Sequence, residues 1–348
     1  MLCYNNSMKH IVEKDDIEIY KSAIWDFYFG GLNVGVLDIE TTGLSPDRNK
    51  FILGGLYNCQ TREMHQVLAE SRAEEADALR EFICELQRLD VIVTYNGRNF
   101  DTPFLKKRLA KAIADGRYSH PEDEAVLERL YDLDLFLVVQ GHSPIKKLVP
   151  NLRQKTIENY MGLWETRTDE ISGAESVELF NHYEKTGDPE AERKILLHNS
   201  DDVRQLTKLT KIISKCDMHR AMMSMGFPTC GMKTGRPKLQ SGCLQINGKQ
   251  SAWAGLCMDY IGYEFHGCPV YTTFSSADGT FQFEVPVMRN SGMTLVDLDA
   301  LGLDREEFEQ YPTCESGYLI IEDREGLRHM EINHFTKAFI KKFQEEAL

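Results

Sequence analysis

The run Val34-Gly35-Val36-Leu37-Asp38-Ile39-Glu40-Thr41-Thr42-Gly43-Leu44 limits what this chain can fold into more than any other stretch. Val34 to Leu37 is short, apolar and β-favouring, which predicts an inner strand. Asp38 and Glu40 stand two residues apart. In a strand that spacing puts both carboxylates on one face and Ile39 on the other. Neighbouring acids taken out of water repel, so they become neutral or are expelled unless a cation sits between them. Oxygen ligands of this kind suit Mg²⁺ or Mn²⁺. The other reading is a strand end whose acids simply face water, because D-x-E is short and common.

Two later stretches bear on that choice. Val91-Ile92-Val93-Thr94-Tyr95-Asn96-Gly97-Arg98-Asn99-Phe100-Asp101-Thr102-Pro103 reads as a second strand, a polar turn and an aspartate at the start of a helix. Pro103 fits the first helical turn, where its missing N–H costs nothing. His198 and Asp202 lie four apart in the helical run Glu190 to Lys215 and so share a face. Val203, Leu206, Thr210 and Ile213 give that helix its core stripe, with His198 and Asp202 towards the stripe's edge.

Taken in order, D-I-E-T-T-G-L, Y-N-G-x-x-F-D-x-P-F-L and H-N-x-x-D-V resemble the DEDD exonucleases of the ribonuclease H-like superfamily. The bacterial YprB-type branch is nearest in pattern. The second motif is also similar to the proofreading exonuclease domain of B-family DNA polymerases. The resemblance runs from Val34 to Leu209. It implies that Asp38, Glu40, Asp101 and Asp202 hold two divalent cations, Mg²⁺ or Mn²⁺. Asp38 would bridge them, with Glu40 and Asp202 on the first ion and Asp101 on the second. His198 stands where the tyrosine-type branch has its tyrosine; the histidine-type branch has its histidine one residue further from the aspartate. Imidazole titrates near neutrality, so His198 is a candidate general base. The alternative is a helix residue that hydrogen-bonds nearby backbone. Thr41, Thr42 and Leu44 would meet the terminal nucleotide, while Asn96 and Phe100 flank the second motif's aspartate. Asp134 matches a family aspartate near the site and is expected to cap a helix or support the ligands.

Composition narrows the class. At 348 residues and 42% apolar content, the chain is expected to form two globular domains. No apolar run approaches a membrane span, and Met1 to His10 lacks a signal-peptide core. Nine cysteines without a C-x-x-C pair predict reduced thiols and a cytoplasmic location. A net charge of −14 argues against non-specific coating of nucleic acid. Local cations remain: Lys106, Lys107, Arg108 and Lys111 on one helix, then Lys146, Lys147, Arg153 and Lys155. These are candidate phosphate contacts, or ordinary solvated faces.

The expected order is an N-terminal extension (1–33), a ribonuclease H-like domain (34–215), a linker or long loop (216–243) and a C-terminal domain (244–348). The extension is expected to dock as an amphipathic helix or edge strand. The fold class is α/β: a mixed sheet flanked by helices, as the resemblance implies, followed by a smaller β-rich α+β domain. Ala277-Asp278-Gly279-Thr280 predicts a hairpin in that domain. A second hairpin is expected around Arg324-Glu325-Gly326, with a closing helix from Ile332 to Glu346. Trp253, Tyr260, Tyr263, Phe265 and Tyr271 there form either a core or a base-stacking platform.

The resemblance implies a metal-dependent 3′–5′ exonuclease acting on single-stranded DNA or RNA ends, with no membrane partner. Two other readings stay open: a nucleic-acid-binding or scaffolding module with weak or lost catalysis, and a structure-selective endonuclease on the same fold. The intact acidic quartet favours an enzyme; the absent tyrosine favours the module.

Overall fold

The computed structural model describes residues 8–163, 168, 171–250 and 257–347. The chain divides into two compact units, Met1–Cys216 and Asp217–Leu348.

The first unit is built on a six-stranded mixed sheet. Its strands are β1 (Met8–Lys14), β2 (Val34–Thr41), β3 (Phe51–Asn58), β4 (Glu63–Ala69), β5 (Val91–Thr94) and β6 (Tyr131–Asp134), in the order β1-β4-β3-β2-β5-β6. β1 to β4 pair antiparallel, while β5 and β6 run parallel to β2 and to each other. The parallel pairing follows from the helical return between β4 and β5, since parallel neighbours need a crossover.

Helices cover both faces. After the short α1 (Ala23–Phe29) come α2 (Glu75–Leu86), α3 (Asp101–Ala114), α4 (Glu124–Arg129), α5 (Leu135–His142), α6 (Gln154–Tyr160), α7 (Gly173–Thr186) and α8 (Pro189–Leu209). Leu37 and Ile39 of β2 pack with Leu79, Phe82, Phe104 and Leu109 of α2 and α3. On the other face, Ile52, Leu53 and Leu68 meet Phe180, Tyr183 and Ile195 of α7 and α8. Burial on two faces explains why β2 and β3 read as continuous apolar runs rather than alternating ones.

The stretch read as an extension is part of this sheet. β1 pairs with β4 from Met8↔Ala69 to Lys14↔Glu63. α1 is capped by Ser22, whose Oγ accepts from the Trp25 N–H at 3.2 Å, and it buries Trp25, Tyr28 and Phe29. The extension thus supplies both an edge strand, β1, and a short helix, α1, the two forms open to it from its mixed apolar and acidic pattern. Asp134 caps a helix, one of its two expected roles: it accepts from the Phe136 and Leu137 N–H groups at the start of α5.

Arg108 leaves the proposed phosphate-binding cluster. It is 1% exposed, and its Nε and Nη2 both donate to Glu75 at 2.6 Å. Burial alone would raise the Glu75 pKa, but the hydrogen bonds from Arg108 and Lys50 outweigh it and hold the carboxylate low.

The second unit is β-rich. A seven-stranded sheet centres on Cys243–Lys249 and Thr280–Pro286, and a five-stranded sheet on Met293–Asp297 and Tyr318–Asp323. The helix His329–Ala347 joins their core through Phe335, Phe339 and Phe343. The expected Asp-Gly turn joins Tyr271–Ser275 to Thr280–Pro286. The closing helix starts at His329, so the second hairpin's return strand shrinks to Gly326–Leu327. The span 216–243 is not a bare linker: it holds the helix Met218–Met225 and the strands Pro228–Thr229, Met232–Thr234 and Lys238–Gln240. Gly231 and Gly242 serve tight turns between short strands, a pattern that in sequence looks like a loop. Phe265 is in the core and Tyr260 packs against it, whereas Tyr263 and Tyr271 are exposed, their ring centres 5.6 Å apart. Trp253 lies outside the described residues.

Candidate active site

Three chain segments meet at the end of β2. The first is β2 itself. Its pairing with β3 slips between Glu40 and Thr41, which ends the regular ladder beside the two acids. The turn that follows is tied by side chains. The Thr41 hydroxyl donates to the Gly43 carbonyl at 2.9 Å, and the Thr42 hydroxyl accepts from the Lys50 N–H at 2.9 Å. Gly43 sits at φ 151°, and a Cβ there would come 2.8 Å from Asn49 Nδ2. Leu44 is left 83% exposed at the tip.

The second segment is the turn from β5 to α3. Asn96 adopts φ 67°, and its N–H donates to Asp134 Oδ1 at 2.8 Å, while the Arg98 N–H donates to Asp134 Oδ2 at 3.1 Å. Asp134 thus shapes this turn as well as capping α5. Asp101 Oδ1 accepts from the Ile39 N–H at 3.2 Å, which fixes it to the residue between Asp38 and Glu40. Burial, and then the charge of Asp132, push the Asp101 pKa up to about 7. Asp132 accepts from the Thr94 and Thr102 hydroxyls at 2.6 and 2.7 Å, yet burial still pushes it up to about 6. Asp132 was not singled out in the sequence; its only signal was its place two residues before Asp134.

The third segment is α8. His198 Nε2 lies 3.6 Å from Glu40 Oε1 and 3.6 Å from Asp202 Oδ2. The ligand atoms of Glu40, His198 and Asp202 all fall within 4.8 Å of one another. Asn199 is fully buried and donates through Nδ2 to both the carbonyl and Oδ2 of Asp38, each at 3.2 Å. Its Oδ1 accepts from Gln66 Nε2 at 3.1 Å. Asn199 is the second residue of the H-N-x-x-D-V motif, where a one-turn spacing to Asp202 marks its neighbour His198 and nothing local marks the amide.

Asp38 lies under the charge of all three other acids. Burial raises its pKa well above the usual range, Asp202, Asp101 and Glu40 add to the rise in that order, and the Asn199 amide opposes it. Four carboxylates gathered this closely in low dielectric favour protons or cations.

Room for Asn199 comes from Gly55, the cross-strand partner of Asp38. A Cβ at Gly55 would lie 2.2 Å from Asn199 Oδ1. The amide is held by Gln66 and Asp38 and has little freedom to yield. Gly55→Ala is therefore expected to destabilise the protein by about 1–3 kcal/mol. Urea unfolding would measure this; an unchanged midpoint would show that Asn199 moves freely.

A cleft of about 800 Å³ opens over the cluster, lined by Asp38, Glu40, His198 and Asp202 and by Thr41, Thr42, Leu44 and Phe100. Arg153 and Lys155 line it too, as do Ser172, Gly173 and Ala174 at the start of α7. The other predicted cations lie elsewhere. Lys106 pairs with Glu128 at 2.7 Å and Lys107 with Asp47 at 2.8 Å, and Lys147 is exposed in the 3₁₀ turn Pro144–Lys147. None of these three, nor Asn96, lines the cleft. Sequence position placed Arg153 and Lys155 in the same cluster as Lys147; only the path of the chain into α6 separates them.

A sequence profile of the RNase_H superfamily matches residues 36–214, a span that contains every member of this cluster. An uncharacterised protein of Methanocaldococcus jannaschii, MJ0365, is 26% identical over 189 residues, which cover 53% of this chain and 96% of that protein. Among solved structures, the family B DNA polymerase of the hyperthermophilic archaeon Pyrobaculum calidifontis is similar at 22% identity and a TM-score of 0.41. That match covers 52% of this chain and only 24% of the polymerase.

Proposed function

Because this chain belongs to the RNase_H superfamily, we propose that it is a metal-dependent nuclease removing nucleotides from single-stranded DNA or RNA ends in the 3′–5′ direction. The observation that carries this reading is the convergence of Asp38, Glu40, Asp101 and Asp202 with His198 at the end of β2. The donor set fits divalent cations: the charges of Asp202, Asp101 and Glu40 raise the proton affinity of Asp38, and positive charge at the cluster relieves that repulsion.

Asp38, Glu40, Asp101 and Asp202 would hold two cations, Mg²⁺ or Mn²⁺, which when bound supply a more acidic water and charge relief for the departing 3′ oxygen. The protein's own residues do the rest. Asn199 fixes the Asp38 carboxylate, and the Ile39 amide fixes Asp101. Leu44 and Phe100 flank the terminal base. Arg153 and Lys155 meet the phosphates, so a strongly acidic chain still offers local positive charge at the cleft. His198 Nε2 faces the gap between Glu40 and Asp202 and takes the proton from the attacking water. The equal 3.6 Å spacing to both acids also supports a second role for His198, as a ligand of the same cation.

The test uses the purified full chain with 5′-labelled single strands and Mn²⁺ or Mg²⁺. The expected result is a ladder shortening from the 3′ end, abolished by EDTA. Cleavage of circular single strands would point to an endonuclease instead. Binding without any cleavage would point to the module, and full activity in EDTA would refute the metal mechanism.

A further inference from the structure

A second cluster of ligand-type atoms lies on the face of the sheet opposite α8, under α2. We propose that His10, His65 and Glu85 form a zinc-class metal site that staples the edge strand β1 to β4 and α2. Nothing in this proposal depends on the nuclease reading.

The geometry comes from three elements. His10 on β1 has Nε2 3.2 Å from Nδ1 of His65 on β4, and that Nδ1 lies 3.6 Å from Oε2 of Glu85 on α2. The three ligand atoms all fall within 4.8 Å of one another. Zinc bonds of 2.0–2.1 Å at tetrahedral angles place ligand atoms about 3.3–3.4 Å apart. Both short edges match that spacing within a few tenths of an ångström. Two imidazoles and one carboxylate select zinc and its neighbours over magnesium.

The surroundings suit ligation. His10 Nδ1 is 2.8 Å from Glu81 Oε1, so a proton on Nδ1 leaves the Nε2 lone pair directed at the site. A carboxylate behind a ligating histidine is the usual support for such a ring. His65 is only 4% exposed, and its Nε2 is buried without a hydrogen-bond partner. A direct hydrogen bond between the two rings explains one edge of the triangle alone. It leaves Glu85 beyond hydrogen-bond reach of His65 and His65 Nε2 unsatisfied. With Nδ1 on a cation, Nε2 carries the ring's proton and faces Glu63 Oε2, 3.9 Å away. Glu85 Oε2 also accepts from Arg88 Nη1 at 2.9 Å, but the Arg88 side chain is 64% exposed and gives way cheaply. The partly exposed His10 side leaves the fourth position to water. The gain is structural, because β1 is the outermost strand of the sheet.

The test must exclude metal held by the cleft. The full chain carrying Asp38→Asn and Asp202→Asn is stripped with chelator, dialysed and titrated with Co²⁺. The expected result is one Co²⁺ per chain with the visible bands of a four-coordinate nitrogen–oxygen site, bleached by Zn²⁺. Adding His10→Ala should remove the bands while far-ultraviolet circular dichroism stays the same. Glu81→Gln, which leaves all three ligands in place, should weaken Co²⁺ binding by about 10–100-fold and serves as the measurement if His10→Ala fails to fold. No visible spectrum in the parent chain, or binding indifferent to Glu81→Gln and to a folded His10→Ala, would overturn the proposal.

Discussion

Asp38→Ala is expected to lower the nuclease rate by about 10³-fold or more, equivalent to roughly 4 kcal/mol of lost transition-state stabilisation. The same substitution is expected to raise the thermal stability of the metal-free protein. Both outcomes follow from one arrangement. Asp38 is the residue on which burial and the charges of Asp202, Asp101 and Glu40 converge. With cations bound, it holds the charge that catalysis needs. Without them, it is the centre of an uncompensated repulsion, and removing it relieves Asp101, Glu40 and Asp202 together. Asn199 loses one acceptor in the variant but keeps the residue-38 carbonyl. Rates in Mn²⁺ and melting curves in EDTA test the pair of effects. A rate within tenfold of wild type would rule Asp38 out as a principal ligand.

The pH dependence of the metal-free protein follows from the same cluster. The Asp101 pKa is raised in the folded state to about 7. An aspartate with a raised folded value binds its proton more tightly when folded than when unfolded. Its contribution to stability is therefore fully present below the unfolded value, near 3.9, and is lost as pH rises through about 7. In EDTA, the melting temperature of the wild type should fall over that window, and that of Asp101→Asn should fall less.

His198→Ala is expected to lower kcat by roughly 10²–10⁴-fold if the imidazole takes the proton from water. The residue is 4% exposed, and its Nε2 faces Glu40 and Asp202 rather than solvent. A base must be neutral to act, so the wild-type rate should climb with pH through the apparent pKa of this group, and His198→Ala should lose that limb. The ligand role predicts something else: the variant would need more Mn²⁺ to reach half its maximal rate. Steady-state rates against pH at saturating Mn²⁺, followed by a metal titration at fixed pH, separate the two. An unchanged kcat with the wild-type pH profile and metal requirement would leave His198 a bystander.

The local order of the chain is legible in its sequence. The alternation of β2 put Asp38 and Glu40 on one face and Leu37 and Ile39 in the opposite core, because side-chain direction in a strand is a matter of backbone period. Helical spacing put His198 and Asp202 on one face of α8 for the same reason. Leu79, Phe82, Ile83 and Leu86 of α2 are buried at helical spacing, a property that periodicity alone carries. Each of these properties is local, and the sequence by itself determined it.

Contacts between distant segments were decided only by the tertiary structure. Asn199 reaches Asp38 across 161 residues, into space left by Gly55. Arg108, one of four cations on an apparently solvated helix, turns inward to Glu75 and leaves Lys106 and Lys107 paired on the outside. Arg153 and Lys155 enter the cleft while nearby Lys147 stays out. His10 meets His65 and Glu85 because an unremarkable N-terminal stretch supplies the edge strand. A one-dimensional pattern encodes the direction of each side chain along its own element; which partner it meets depends on how whole elements pack, and packing is a property of the folded chain.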